Sequence, residues 1–299
     1  MFPNTLFKIF TIEIDMYSIL LTLGVVLCLI FTIWAMRREK YSRSARETII
    51  SIAFFAIAAG LLFAVLFQSF YDFLKNPENG FKVTGRMTFI GGLIGGVGFF
   101  ILFYLLFVKV INPKLKDTNI FKANMNKGIF ELLPIAPISI TIAHSIGRMG
   151  CFCAGCCYGV ETDAWYGVQF PGMHHKVIPT QLFEAIFLFV LTAVMLFLYL
   201  RFDFKYNFGI YGISYGIWRF VIEFYRGDDR GGKILGLSPS QFWSILLIIG
   251  GIVFFFIYRY FARCCPLCPA WTCGNTGLAP SARSRARGSP PPRRRRARC

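Results

Sequence analysis

Seven apolar stretches, each near the length that crosses a bilayer, run through this chain of 299 residues. A hydrocarbon core about 30 Å thick takes about 20 apolar residues in a helix. Inside that core the backbone must satisfy its own polar groups, which a single segment does only as a helix. The stretches cover residues 17–35, 49–74, 88–111, 129–147, 180–202, 208–224 and 241–261. The chain therefore reads as an all-α integral membrane protein with seven transmembrane helices. Composition agrees: 56% of residues are hydrophobic and 16% charged, where a soluble domain runs near a quarter charged. No small-residue cleavage site follows the first stretch, so it reads as a span and not as a removable signal.

Charge in the loops orients the bundle. Arg37, Arg38, Lys40, Arg43 and Arg46 lie between the first two spans. Lys109, Lys114, Lys116, Lys122 and Lys127 lie at the third connection, and Arg201 and Lys205 at the fifth. These connections alternate, so they share one side, which the positive-inside rule makes cytoplasmic. The N-terminus is then expected outside and the C-terminus inside. The connections after the fourth and sixth spans face outward.

Two regions are expected: residues 1–263 as the membrane domain and residues 264–299 as a tail. The tail holds eight arginines, no acid and five of the ten cysteines. It cannot build a core and is expected to be disordered. Its break in composition reads as a frameshift or artefact, with anionic-lipid binding as the alternative. The net charge of +17 falls by eight without it, so overall basicity does not argue for a nucleic-acid partner.

Ionisable residues in spans are costly and tend to face a cavity or partner. Tyr215, Arg219 and Glu223 recur at i, i+4 and i+8, along one helix face. Arg148 closes another span on the same outer side. A guanidinium fork suits phosphate oxygens, so two arginines at that depth point to a phospholipid headgroup. A self-neutralised Arg219–Glu223 pair is the structural alternative. Gly91/Gly95 and Gly92/Gly96 form two G-x-x-x-G pairs, read as close helix packing or as room for a lipid. Thr180 follows Pro179 and reads as a helix cap, with Glu184 completing a capping network. Otherwise Gln181 and Glu184, at i and i+3, line the inner wall of a cavity.

Cys151, Cys153, Cys156 and Cys157 crowd the end of the fourth stretch. Cys153 and Cys156 form a C-x-x-C, which suits a disulfide, redox exchange or two metal ligands. No second Cys or His pair completes a ligand set, so no metal and no cofactor is expected.

Four segments together resemble the prolipoprotein diacylglyceryl transferase family. They are Gly147-Arg148-Met149-Gly150 with Phe152, Gly155 and Gly159; Tyr215 through Glu223; Phe89-Ile90-Gly91-Gly92-Leu93; and Pro179 through Glu184. Tyr17 falls where the family has a tyrosine in its first helix. The resemblance implies seven helices in a bacterial cell membrane, with the active site on the outer side. It implies transfer of a diacylglyceryl group from phosphatidylglycerol to the lipobox cysteine of a secreted lipoprotein precursor. Arg148 and Arg219 would hold the lipid phosphate, Glu223 would orient Arg219, and Tyr215 would support the site. Tyr17 would be catalytic, and Gly91, Gly92, Gln181 and Glu184 would line the substrate site.

Three positions depart from that pattern. The family has histidine where Ile90 stands, asparagine where Cys151 stands and often an acid at Cys156. Isoleucine takes no proton, so Tyr17, Glu223 or His144 would serve as base, or the acceptor thiol would ionise unassisted. A membrane thiol-disulfide oxidoreductase using Cys153 and Cys156, and a non-catalytic lipid-binding paralogue, are the alternatives.

Overall fold

The structure is a computed structural model that describes residues 7–9, 12–75, 77–83, 88–116, 122–125, 127–227 and 236–264. The tail expected at 264–299 lies, from 265 onward, outside the described residues, as does the side chain of Ile90.

A short antiparallel hairpin, β1 (Phe7–Ile9) with β2 (Ile12–Ile14), precedes the helices. It adds a small strand pair to the expected all-α class. Asp15 then caps α1 (Met16–Arg38), accepting the Ser18 N–H at 2.8 Å. Hydrogen bonding by Ser18 holds the Asp15 carboxyl below the usual carboxylate range. The remaining long helices are α2 (Arg43–Lys75), α3 (Phe89–Leu106), α4 (Ala136–Ala154), α5 (Thr180–Phe202), α6 (Asn207–Ile222) and α7 (Pro239–Cys264). A π turn, Phe107–Ile111, and a last turn, Asn112–Lys114, extend α3.

Five segments have the length and apolarity to cross a membrane: Met16–Arg38, Arg43–Leu74, Gly91–Lys114, Thr180–Phe202 and Pro239–Tyr260. The other two long helices, α4 and α6, run 19 and 16 residues. Both carry polar cargo: Ser139, Thr141, His144, Ser145 and Arg148 on α4, and Asn207, Ser214, Tyr215 and Arg219 on α6. The expectation of seven spans is thus met by five on length and composition. The fourth expected span is also shifted. A 3-10 turn occupies Ile129–Leu132, and helix α4 runs on to Ala154, so Arg148, Cys151 and Cys153 are helical.

Helices pack mainly as sequence neighbours, α2 on α3, α4 on α5 and α6 on α7, with α1 against α4. Glycines set two of these contacts. A Cβ at Gly91 would come 2.6 Å from Phe67 Cβ and 2.9 Å from the Phe63 carbonyl oxygen of α2. At Gly212 it would come 3.2 Å from Gly251 Cα, so α6 and α7 touch backbone to backbone.

One end of the bundle is closed by a core of Met36, Ile49, Ile138, Met195 and their neighbours. The basic connections gather there. Tyr199 OH donates to Glu39 at 2.8 Å, Lys127 lies 3.5 Å from the same carboxylate, and Tyr41 OH donates to the Gly128 carbonyl at 3.3 Å. Arg38 stacks 5.5 Å from the Tyr199 ring. The start of α4 lies in this core and α4 spans about 28 Å, so its C-terminal residues reach the opposite end.

Candidate functional site

That opposite end is built from the C-terminal ends of α4 and α6 and the N-terminal ends of α5 and α7. Glu184, fully buried on α5, is its hub. Its carboxylate lies 3.1 Å from Arg148 Nε on α4, in an ion pair without hydrogen-bond alignment. It accepts the Tyr215 hydroxyl from α6 at 2.8 Å. His144 Nε2, one turn before Arg148, lies 3.8 Å from the same carboxylate, and its ring packs edge-on to Tyr215. Glu184 therefore ties three helices together through side chains, in place of the capping role read from sequence. The residue at the cap is Pro179. Thr180 instead donates its hydroxyl to the Cys157 carbonyl at 2.9 Å.

Arg219 forms a second centre beside the first, within electrostatic reach of Glu184. Its Nη2 lies 2.8 Å from Glu223, the i, i+4 partner read from sequence. The same nitrogen donates to Ser240 Oγ at 2.9 Å, and Ser238 Oγ donates to Glu223 at 3.0 Å. Among the described residues, buried Arg219 Nη1 has no hydrogen-bond partner.

Sequence reasoning missed Ser238 and Ser240, although a signal was present. Ser238-Pro239-Ser240-Gln241 ahead of an apolar run has the S-x-x-Q spacing of a capping box. The structure forms that box, with Gln241 N–H donating to Ser238 Oγ at 3.2 Å and Ser238 N–H to Gln241 Oε1 at 3.0 Å. The cap thereby carries two hydroxyls to the Arg219–Glu223 pair.

The connection from α4 to α5 fixes the relative placement of these ends. Gly155, at φ +68°, closes α4 in a Schellman motif, with Cys156 N–H bonded to the Cys151 carbonyl and Gly155 N–H to that of Phe152. Beyond it, Gly159 N–H donates to the Ile178 carbonyl at 2.8 Å and Val160 N–H to the Tyr225 carbonyl at 2.9 Å. A Cβ at Gly159 would overlap the Tyr225 carbonyl oxygen, so the close approach requires glycine. The end of α6 is pinned to the start of α5 in this way.

Among the thiols, the structure departs from the C-x-x-C reading. Sγ atoms of Cys151, Cys156 and Cys157 all lie within 4.8 Å of one another, a group that does not take in Cys153. All are free thiols. Gln181, fully buried, donates to the Cys156 carbonyl at 2.9 Å and so holds the cluster instead of facing a cavity through that amide. Hydrogen bonds with Cys151 and Cys156, and Arg226 alongside, hold the Cys157 thiol below its usual range. Tyr17 reaches the same region, packing 3.1 Å from a Cβ position on Gly150 and interacting with all three thiols and with Arg148.

Gly91 and Gly92 are not brought to this cluster. The atoms nearest a Cβ at Gly92 belong to Ala64 and Gly60 of α2, so the tight-packing reading of the glycine stripe describes their contacts.

The family model for prolipoprotein diacylglyceryl transferase matches residues 4–257. The chain belongs to that family. The phosphatidylglycerol--prolipoprotein diacylglyceryl transferase of Clostridium tetani is 32% identical over 266 residues, covering 85% of this chain and 97% of its own. A second such transferase of Clostridium perfringens is 28% identical over 266 residues, covering 86% and 95%. That of Dehalococcoides mccartyi strain 195 is 30% identical over 273 residues, covering 85% and 92%. As a family member with apolar helices of spanning length, the chain is a multi-pass membrane protein.

Proposed function

We propose that this protein is a transferase that moves a diacylglyceryl group from phosphatidylglycerol to the lipobox cysteine thiol of a secreted lipoprotein precursor. Its membrane is the bacterial cell membrane. Five spans are joined by α4 and α6 as shorter spans held by their neighbours, giving seven. The N-terminus and the site lie outside, and the basic end lies in the cytoplasm. The names of the relatives supply the two substrates.

One observation carries the reading. Two arginines from different helices, Arg148 and Arg219, converge at one end of the bundle, each steadied by a carboxylate, and among the described residues buried Arg219 Nη1 has no hydrogen-bond partner. Such donors match a phosphate at the headgroup level. As the bond from the glyceryl carbon to the phosphate oxygen breaks, negative charge grows on that oxygen. Fixed cationic donors aimed at that charge supply the stabilisation. Glu223 and Ser240 set the plane of the Arg219 fork, while Glu184 and Tyr215 set Arg148. Tyr17 and Gln181 shape the acceptor side next to the thiols, and Gly91 and Gly92 seat α3 against α2.

The test is transfer in vitro. Purified protein receives phosphatidylglycerol and a peptide with one lipobox cysteine, and mass spectrometry follows thioether and glycerol phosphate. Both products are expected, and both are lost in Arg148→Ala and Arg219→Ala but kept in Cys153→Ser. Lipid binding without either product identifies a non-catalytic paralogue and overturns the reading.

A further inference from the structure

We propose that Cys151, Cys156 and Cys157 form a three-thiolate site for Zn2+ or an ion of its soft class, with an open fourth position that takes the acceptor thiol. The identity of that fourth ligand rests on the transferase reading; the metal site itself does not.

Geometry is the first support. Thiolates bound to one zinc at about 2.3 Å sit about 4 Å apart, and the three Sγ atoms lie within 4.8 Å of one another. A disulfide would use two of them at about 2 Å and leave the third over. The backbone is shaped for the three-way approach. Past the Gly155 turn, Cys157 itself takes a left-handed φ of +63°, which a non-glycine residue adopts at a cost. That turn folds residues 156 and 157 back over the end of α4, where Cys156 Sγ reaches the Cys151 carbonyl at 3.6 Å. Two buried side chains of α5 hold it there, Thr180 on the Cys157 carbonyl and Gln181 on the Cys156 carbonyl. A strained turn clamped from outside is how a protein presets a ligand set.

Charge is the second. Three thiolates and a divalent ion sum to one negative charge, and a fourth thiolate makes two. Arg226 beside Cys157, and Arg148 beside Cys151 and Cys157, answer that charge. Part of the set is open: Cys156 is exposed, so a ligand can approach. Catalytic zinc sites are of this kind, with three protein ligands and one open position.

The chemistry follows. A thiol that binds the ion gives its proton to solvent and becomes a thiolate without a protein base. Arg148 lies one helical turn from Cys151, so the bound thiolate sits beside the phosphate clamp. The sulfur attacks the glyceryl carbon and the S–C bond forms. The C–O bond to phosphate breaks, its electron pair leaves on the phosphate oxygen, and glycerol phosphate takes up a proton from water. The product is a neutral thioether, a weaker ligand than the thiolate, and is released.

The experiment uses the full chain in detergent under reducing conditions, with Co2+ and Zn2+ as probes. One ion per chain should bind at this site, and Co2+ should show a thiolate charge-transfer band. Binding of Zn2+ should protect Cys151, Cys156 and Cys157, but not Cys28 or Cys153, from alkylation mapped by peptide mass spectrometry. That readout needs no variant and separates this site from the tail thiols. Cys151→Ser and Cys157→Ser should lose the ion while Cys153→Ser keeps it. A peptide with one lipobox cysteine should strengthen the cobalt band, and its serine analogue should not. Transfer should stop on chelation and return with Zn2+. Equal alkylation of all five thiols with and without Zn2+ overturns the site, and transfer that persists in stripped protein overturns its part in the reaction. A protected site with a peptide response but no transfer product upholds the metal site and overturns the transferase reading alone.

Discussion

The two ends of the bundle handle charge in opposite ways. At the basic end Glu39 meets Lys127 and Tyr199, Lys127 also meets Glu131 at 3.0 Å, and the three charged partners are all partly in water although Tyr199 is buried. At the other end Glu184 is wholly buried, Arg219 and Glu223 are nearly so, and Arg219 Nη1 goes unbonded among the described residues. Exposed pairs contribute about 0–1 kcal/mol and close a surface. Buried pairs lose much of their Coulomb attraction to desolvation, and breaking one costs about 3–5 kcal/mol. A fold that only needed to be stable would keep the first arrangement and fill the second with apolar side chains. On the proposed transferase function the buried end is kept for what its donors do, and four substitutions test this contrast between the ends.

The largest effect is expected at Glu184. Glu184→Ala strands Arg148 in a buried site and frees Tyr215, so thermal stability in detergent should fall by about 3–5 kcal/mol and transfer should vanish. A variant as stable as the parent would remove the distinction between the ends. Next comes Arg219→Lys. An ammonium cannot hold Glu223, Ser240 and a phosphate in one plane, so turnover should drop by about two orders of magnitude with the melting temperature nearly unchanged. Parent-like turnover would show that the planar fork is not used. Ser240→Ala removes one hydrogen bond to a charged group, a change of about 1.5–3 kcal/mol at most. It should lower turnover modestly, and its effect should disappear in an Arg219→Ala background if the two act as one unit. Smallest is Lys127→Ala at the basic end, where stability should change by less than about 1 kcal/mol and transfer should be unaffected. A loss of transfer there would couple the two ends.

Much of the site was legible because it depends on local spacing. Tyr215, Arg219 and Glu223 share a helix face by arithmetic alone; Arg219 pairs with Glu223, while Tyr215 turns to Glu184. Arg148 stood out because a guanidinium in an apolar setting is rare. Glu184 was harder to assign. Four residues into a helix after a proline, it satisfies a capping rule equally well, and only the packing of α4, α5 and α6 turns it into a hub. Ser238 and Ser240 were overlooked because a capping serine is usually only a cap. The C-x-x-C misled for a related reason. Cys153 points along a helix that was expected to have ended, and its continuation to Ala154 reassigns which thiols meet.

What the chain determined by itself is what water and lipid enforce residue by residue. Apolar length sets the helices, basic loops set a common end, and helical period sets which ionisable groups share a face. Family membership also rests on sequence, since linear order carries it. The tertiary structure alone decided which faces meet. It brought Glu184 to Arg148, the α7 cap to Arg219, and Cys156 and Cys157 back onto Cys151 through a left-handed turn. Those contacts join residues separated by whole helices or by a reversal of the chain. No local propensity specifies them, because they follow from packing surfaces that exist only once the helices are assembled.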